Sequence, residues 1–221
     1  MIPKIITIAQ QKGGAGKSTI AAHLAVAFSQ KGKRVAAIDI DPQQSLSMWY
    51  SIREERFGQG YTGLDFVSAT GWRVNSEINR LKSDHDIIII DSPPHMETET
   101  KTAIRTADLV IIPMQPSPTD LWASKATIEL AKKERKEVAI LLNRIAHNSK
   151  LAKDITAGLP HLLKGTLGNR VAFATCFLEG RCVTETEPSG LAAREVKAIV
   201  DEIGKMIFAK APAAAKKLQD A

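Results

Sequence analysis

Five apolar runs set the frame: Ile5-Ile6-Thr7-Ile8-Ala9, Val35-Ala36-Ala37-Ile38, Ile87-Ile88-Ile89-Ile90, Leu109-Val110-Ile111-Ile112 and Val138-Ala139-Ile140-Leu141-Leu142. Each is continuous rather than alternating, the pattern of strands buried on both faces in a parallel sheet. The spacing predicts strands over 4–9, 33–41, 87–91, 109–112 and 138–142, with a weaker one over 64–67. Helical periodicity fills the gaps at 17–31, 43–57, 74–81, 97–107 and 121–136. Gly32 closes the first of these helices, Pro42 stops the second strand, and Thr119 or Asp120 is expected to cap the helix from Leu121.

From 150 to 188 the periodicity weakens. It predicts a helix over 150–163, a strand over 170–173 and an exposed loop through Gly180. A last helix carries Leu191, Val196, Ile199, Val200 and Ile203 on one side, with Ser189 as its expected cap. The Ala- and Lys-rich tail from Ala211 is expected to be frayed. Strands alternating with helices specify an α/β fold: a doubly wound, mostly parallel sheet that binds ligands at the carboxyl ends of its strands. One domain is expected over 1–210, with 211–221 as its tail.

Chemistry enters between the first strand and the first helix, at Gln11-Lys12-Gly13-Gly14-Ala15-Gly16-Lys17-Ser18-Thr19. Strand, glycine-rich turn, helix is the context of a phosphate-binding loop. Gly13, Gly14 and Gly16 let backbone N–H groups curl inward, and Ala15, Ser18 and Thr19 continue the cradle. The helix N-terminus and the Lys17 ammonium add positive charge, while the Ser18 hydroxyl suits Mg²⁺. Asp91, at the end of the all-isoleucine strand, stands where a carboxylate would hold that metal. Asp39 and Asp41 end the second strand in Asp39-Ile40-Asp41-Pro42-Gln43.

The net charge of +6 is unevenly placed. Residues 1–120 carry 13 Lys/Arg and 13 Asp/Glu, whereas residues 121–221 carry 17 and 11. A basic C-terminal part fits a nucleic-acid or acidic-surface contact. Two cysteines, Cys176 and Cys182, are too few for a disulfide framework or a zinc site and read as reduced thiols. No apolar run is long enough for a membrane span, and strand begins too early for a signal peptide. A cytoplasmic protein is expected. His23 and His95 read as structural or solvent-facing.

The loop departs from the ordinary P-loop: Gln11 replaces the first glycine, and a second lysine, Lys12, follows it. This resembles the deviant Walker A loop of the ParA/MinD ATPases. Asp39-Ile40-Asp41-Pro42-Gln43, Asp91-Ser92-Pro93-Pro94, the loop 113–120 and Asn143 follow in family order over residues 4–145. The likeness is strongest to short ParA-type partition ATPases without an N-terminal DNA-reading domain. It implies an ATPase using ATP and Mg²⁺, with slow basal turnover. It implies catalytic roles for Lys12, Lys17 and Asp41, Asp41 orienting the attacking water. Metal contacts are implied for Ser18, Asp39 and Asp91, and nucleotide contacts for the loop with Asn143 and Arg144. An Asn amide suits adenine better than guanine, and no N-K-x-D guanine signature occurs.

In this family the early lysine crosses a dimer interface to the partner's phosphates. Beside Lys17 it would crowd like charges unless an anion meets both, so a homodimer sandwiching ATP is implied, with hydrolysis as its release. The resemblance further implies non-specific DNA binding in the ATP state and association with the bacterial nucleoid. A ParB-like or other adaptor would link the ATPase to a plasmid, chromosome origin or protein assembly. The candidate DNA contacts are Arg170, taken to begin a late strand, with Lys164, Arg194 and Lys197. Lys150, Lys153, Arg181 and Lys205 are further candidates. Two alternatives are a MinD-like membrane ATPase, which the Ala/Lys tail disfavours, and a P-loop ligase of small-molecule metabolism.

Overall fold

The computed structural model describes residues 2–94, 98–146 and 150–208. Its sheet consists of β1 (Lys4–Ile8), β2 (Val35–Asp39), β3 (Asp65–Ser68), β4 (Ile87–Asp91), β5 (Leu109–Met114) and β6 (Glu137–Leu142). All pairings are parallel, in the order β3-β2-β4-β1-β5-β6. Register decides where the chemistry falls. Asp91 pairs with Ile8 on one side and Asp39 on the other, so the glycine-rich loop and both carboxylates leave the sheet at one level.

The helices are α1 (Lys17–Gln30), α2 (Ser45–Phe57), α3 (Val74–Leu81), α4 (Thr98–Thr106), α5 (Pro118–Lys133), α6 (Lys150–Thr156), α7 (Val171–Leu178), α8 (Val183–Thr186) and α9 (Leu191–Phe208). Alternation along β4 shows how they divide. Ile87 and Ile89 join the layer of α1, α2 and α9, while Ile88 and Ile90 join the layer of α3 and α4. Helix α1 is buried almost all round, from Ile20 to Phe28. Helix α9 covers it with Val196, Ile199, Val200, Ile203 and Ile207 at spacings of three and four.

The regular α/β part follows the predicted elements to within a few residues. Differences gather at caps and late in the chain. Ser117, not Thr119 or Asp120, caps α5: its hydroxyl accepts the Asp120 N–H at 3.1 Å, with Pro118 in the first turn. The predicted helix over 150–163 ends at Thr156, before Gly158 at φ +76. Residues 161–163 instead run along β6, where Ile140 donates to His161 O at 2.7 Å and Leu163 donates to Ile140 O at 2.9 Å.

The predicted strand over 170–173 is the start of helix α7, with Arg170 extended at its N-cap. Eight apolar or small residues satisfy either period, and packing decides. Phe173, Cys176 and Phe177 share one helical face against His23 and Trp49. Gly180 is buried rather than looped out, at φ +65, where a Cβ would lie 2.4 Å from the Arg53 backbone N. The last helix starts at Leu191, with Gly190 O accepting the Arg194 N–H. The tail and His95 lie outside the described residues.

Two buried polar residues bind α7 and α8 to the rest. Arg53 on α2 pairs with Glu185 at 2.8 Å and donates to Thr62 O and Gly180 O. His23 lies with Nδ1 2.8 Å from Thr19 O and Nε2 3.3 Å from Val183 N. The first nitrogen therefore donates and the second accepts, which requires a neutral ring. Burial pushes its pKa down to about 4, against weaker upward pulls from Thr19 O and Glu185.

Because the folded pKa lies below the ordinary value of 6.5, the unfolded chain binds the extra proton between those limits. Stability from His23 is complete above pH 6.5 and falls by about 3 kcal/mol as the pH drops to 4. Urea unfolding at pH 7 and pH 4.5 is expected to show that loss in the wild type and a smaller one in His23→Gln. Equal losses would remove His23 from the account.

Candidate nucleotide site

The loop after β1 is held by residues distant in sequence. Gln10 is buried and donates through Nε2 to Pro113 O (3.0 Å) and Ser124 Oγ (2.9 Å), while its Oε1 accepts the Gln11 N–H. Gln115 Nε2 donates to Gly14 O at 3.2 Å. Asn143 Nδ2 donates to Ala15 O at 2.8 Å, and Asn143 Oδ1 accepts the Arg144 N–H. The amide expected to read the base is, in this structure, a brace of the loop. Gly14 and Gly16 take φ +76 and +92, and Gly16 caps α1 without a side-chain bond. No acid occupies the first turn of α1, so its N–H groups and positive end remain available to an anion.

Lys17, Asp39, Asp41 and Asp91 form a buried electrostatic cluster at the carboxyl ends of the strands. Asp91 is fully buried, and neither carboxylate oxygen has a hydrogen-bond partner of ordinary geometry. Burial first, then the charges of Asp39 and Asp41, raise its pKa to about 8. Ser18 and Lys17 lie close enough to pull it down but do not prevail. Burial likewise lowers the Lys17 pKa, opposed by Asp91 and Asp41.

Three acids against one buried ammonium leave the cluster short of positive charge, with an orphaned carboxylate beside a hydroxyl. That donor set fits Mg²⁺, a hard cation with oxygen ligands. Asp39, expected in the metal shell, also holds the local backbone. Its Oδ1 accepts the Asp41 N–H (3.0 Å), and its Oδ2 accepts the Ser47 N–H and hydroxyl (2.8 and 2.7 Å). Burial raises its pKa against those bonds. It fixes the turn that carries Asp41 and lies beside Asp91 and Ser18, the other two metal candidates. Asp41 Oδ1 accepts the Gln43 N–H, and its other oxygen has no hydrogen-bond partner among the described residues.

Lys12 and Lys17 point to different partners. The Lys12 ammonium makes a short ion pair with Asp120 and reaches Thr119 Oγ1 at 3.3 Å. Asp120 is fully buried and also receives the Ser117 hydroxyl at 2.5 Å and the Gln115 N–H at 3.3 Å. Burial opposes its charge, but Lys12, Ser117 and Gln115 outweigh burial and hold its pKa below the usual carboxylate value. From the sequence, Asp120 is expected only as a helix cap. Its pairing with Lys12 joins positions 108 residues apart, which local pattern does not reveal.

Beside the loop lies a cavity of about 270 Å³, lined by Gly16, Thr19, Asn143, Arg144, Arg170 and Phe173 among others. Arg170, the first candidate for DNA contact, forms part of its wall. The guanidinium is half-buried and bound to Glu195 at 2.6 and 3.2 Å, with Gly168 N–H joining the same carboxylate. Lys164, Arg194 and Lys197 are exposed. Arg194 and Lys197 lie on α9, and the Lys164 backbone N–H donates to Glu202 of that helix.

A family profile described as the CobQ/CobB/MinD/ParA nucleotide binding domain matches residues 6–183. The chain is 28% identical over 209 residues to maintenance of carboxysome distribution protein A of Halothiobacillus neapolitanus, covering 90% of this chain and 95% of that protein. It is 30% identical over 147 residues to sporulation initiation inhibitor protein Soj of Bacillus subtilis, covering 51% and 58%. Among solved structures, an ATP complex of Cyanothece McdA superposes with a TM-score of 0.76 at 18% identity, over 91% and 96% of the chains. The Mg-ADP complex of MinD from Pyrococcus horikoshii gives 0.78 at 21%, over 93% and 97%. These structures share the fold.

Two substitutions probe this geometry. A Cβ on Gly16 would lie 2.5 Å from Asn143 Nδ2 at a φ that side chains avoid. Gly16→Ala is therefore expected to weaken nucleotide binding at least tenfold in calorimetric titration, and unchanged affinity would reject the brace. Without Mg²⁺, Asp91 has a raised folded pKa, so its protonated form favours the fold and stability falls as pH rises from about 4 to about 8. Melting in chelator should show Asp91→Asn less sensitive to that rise than the wild type, while Mg²⁺-dependent nucleotide affinity is lost.

Proposed function

The chain belongs to the CobQ/CobB/MinD/ParA nucleotide-binding family, and we propose that it is a positioning ATPase whose ATP-bound form is a homodimer on DNA. It is an ATPase of the ParA/MinD type and uses ATP with Mg²⁺. The observation that carries the proposal is the position of Lys12. The loop has one lysine for its own phosphates, Lys17, and a second, partly exposed, that turns from them to Asp120 and Thr119. An ammonium on a side chain more than a third exposed can exchange that carboxylate for the triphosphate of a second copy.

Each residue then has a physical task. Backbone N–H groups of residues 13–19 and the Lys17 ammonium hold the phosphates, and the cavity beside Asn143 takes adenine. Asp91 and Ser18, with Asp39 beside them, would hold Mg²⁺, which would supply charge neutralisation at the phosphates. Asp39 orients the turn, and the free oxygen of Asp41 accepts a hydrogen bond from water placed in line with the terminal phosphate. Lys12 of the second copy adds positive charge where negative charge builds up.

Hydrolysis removes the anion that holds Lys12 across the interface, and Asp120 recaptures it. The exposed basic side chains Lys164, Arg194 and Lys197 near α9 supply the DNA contacts. Arg170 is better placed to support the base cavity. An adaptor links the dimer to cargo and stimulates turnover. The carboxysome-distribution relative aligns over 90% of this chain, against 51% for Soj, so a protein assembly is the first cargo class to test. Among the described residues, no helix is long and apolar enough to cross a membrane.

Light scattering and duplex-DNA binding would be measured for the wild type and Lys12→Ala with no nucleotide, ADP, or ATP and Mg²⁺. Doubled mass and salt-sensitive DNA binding are expected only with ATP, and Lys12→Ala is expected to lose both, with affinity falling at least tenfold. ATP turnover by a monomer indifferent to DNA would sink the reading and favour the small-molecule ligase alternative.

A further inference from the structure

Strand β3 ends the sheet, with β2 on one side and no strand on the other among the described residues. The Ala69 N–H, just past β3, donates to Asp39 O at 2.9 Å. By the two-residue period of a parallel ladder, Asp65 and Val67 also face β2. Phe66 and Ser68 therefore direct their N–H and C=O groups away from the sheet. A groove of about 640 Å³ runs past Asp65, Phe66 and Val67. The stacked pair of Tyr50 and Phe66, with ring centroids 4.5 Å apart, contributes aromatic surface. The groove reaches Val35 at the start of β2, so it opens toward the end of the sheet opposite the nucleotide loop.

Charge selects the occupant. Arg34 and Arg80 line the groove but are bound to Asp86 and Glu77 at 2.9 Å. Asp65 Oδ2 lies 2.8 Å from His85 Nε2, and the Asp65 side chain is itself mostly exposed. Glu54 and Asp84 have no hydrogen-bonded ion pair among the described residues. The rim is acidic. A second copy of the same edge would bring like charges together, which disfavours self-pairing.

The geometry points to the β3 edge as a docking site for an extended basic segment of a partner protein, added to the sheet as a seventh strand. Main-chain bonds to Phe66 and Ser68 supply the pairing, and Lys or Arg side chains of the segment meet Glu54, Asp65 and Asp84. This inference is independent of dimerisation through Lys12, because β3 is the edge strand and stands three strands away from β1, which leads into the Lys12 loop.

The probe is an alternating Lys/Val hexapeptide, with a Glu/Val hexapeptide as its charge-reversed control. Binding would be followed by fluorescence anisotropy, and backbone amides by hydrogen exchange. The basic peptide is expected to bind at least tenfold more tightly than the acidic one and to slow exchange at Phe66 and Ser68. Ser68→Pro removes one outward N–H and should weaken binding at least fivefold. The double variant Glu54→Lys and Asp84→Lys alters side chains alone and should reverse the charge preference. No preference for the basic peptide, or binding that leaves both amides unprotected, would overturn the assignment. Protection growing with protein concentration in the absence of peptide would assign the edge to a second copy and overturn it equally.

Discussion

A carboxylate with no partner in the interior is the constraint from which the site follows. Asp91 ends a strand that is buried on both faces, and beside Ile8 and Asp39 it has no exposed surface of its own. Isolated charge there is costly, and nearby acids increase the cost. A cation and its anionic ligand relieve the cost together. Nucleotide binding is thereby tied to the packing of the sheet: Ile87 to Ile90 hold the acid in place on both faces, and the glycine-rich loop brings phosphate to it.

The second relation is a competition for one ammonium. Lys12 is held by a buried aspartate that two further donors keep ionised. A triphosphate can win the lysine only by presenting more negative charge in a suitable position. In the proposed dimer the ion pair sets a threshold for association, and hydrolysis reverses the competition by reducing that charge.

The sheet was legible in the sequence because its strands are continuous β-branched runs separated by helical patterns. That the loop, Asp41 and Asp91 meet at one edge of the sheet was legible because the signals are local: glycines before a helix, acids after buried strands. Other features were hidden for specific reasons. Asp39 was expected to face metal, and its further task of holding the turn through Asp41 and Ser47 was not visible in the motif. Arg170 was expected to begin a strand and touch DNA. An apolar octet has no decisive period, and the helix it forms turns the arginine toward Glu195. Asp120 and Gln10 act across more than a hundred residues, beyond the reach of any local pattern.

The central claim is that two chains complete each other's site. It is tested most directly by the rate of ATP turnover per chain as protein concentration is varied at saturating ATP and Mg²⁺. The account predicts a rate per chain that rises with concentration and saturates as dimers fill. A rate per chain that stays constant over a hundredfold dilution into the monomer range would contradict it, since one chain would then suffice.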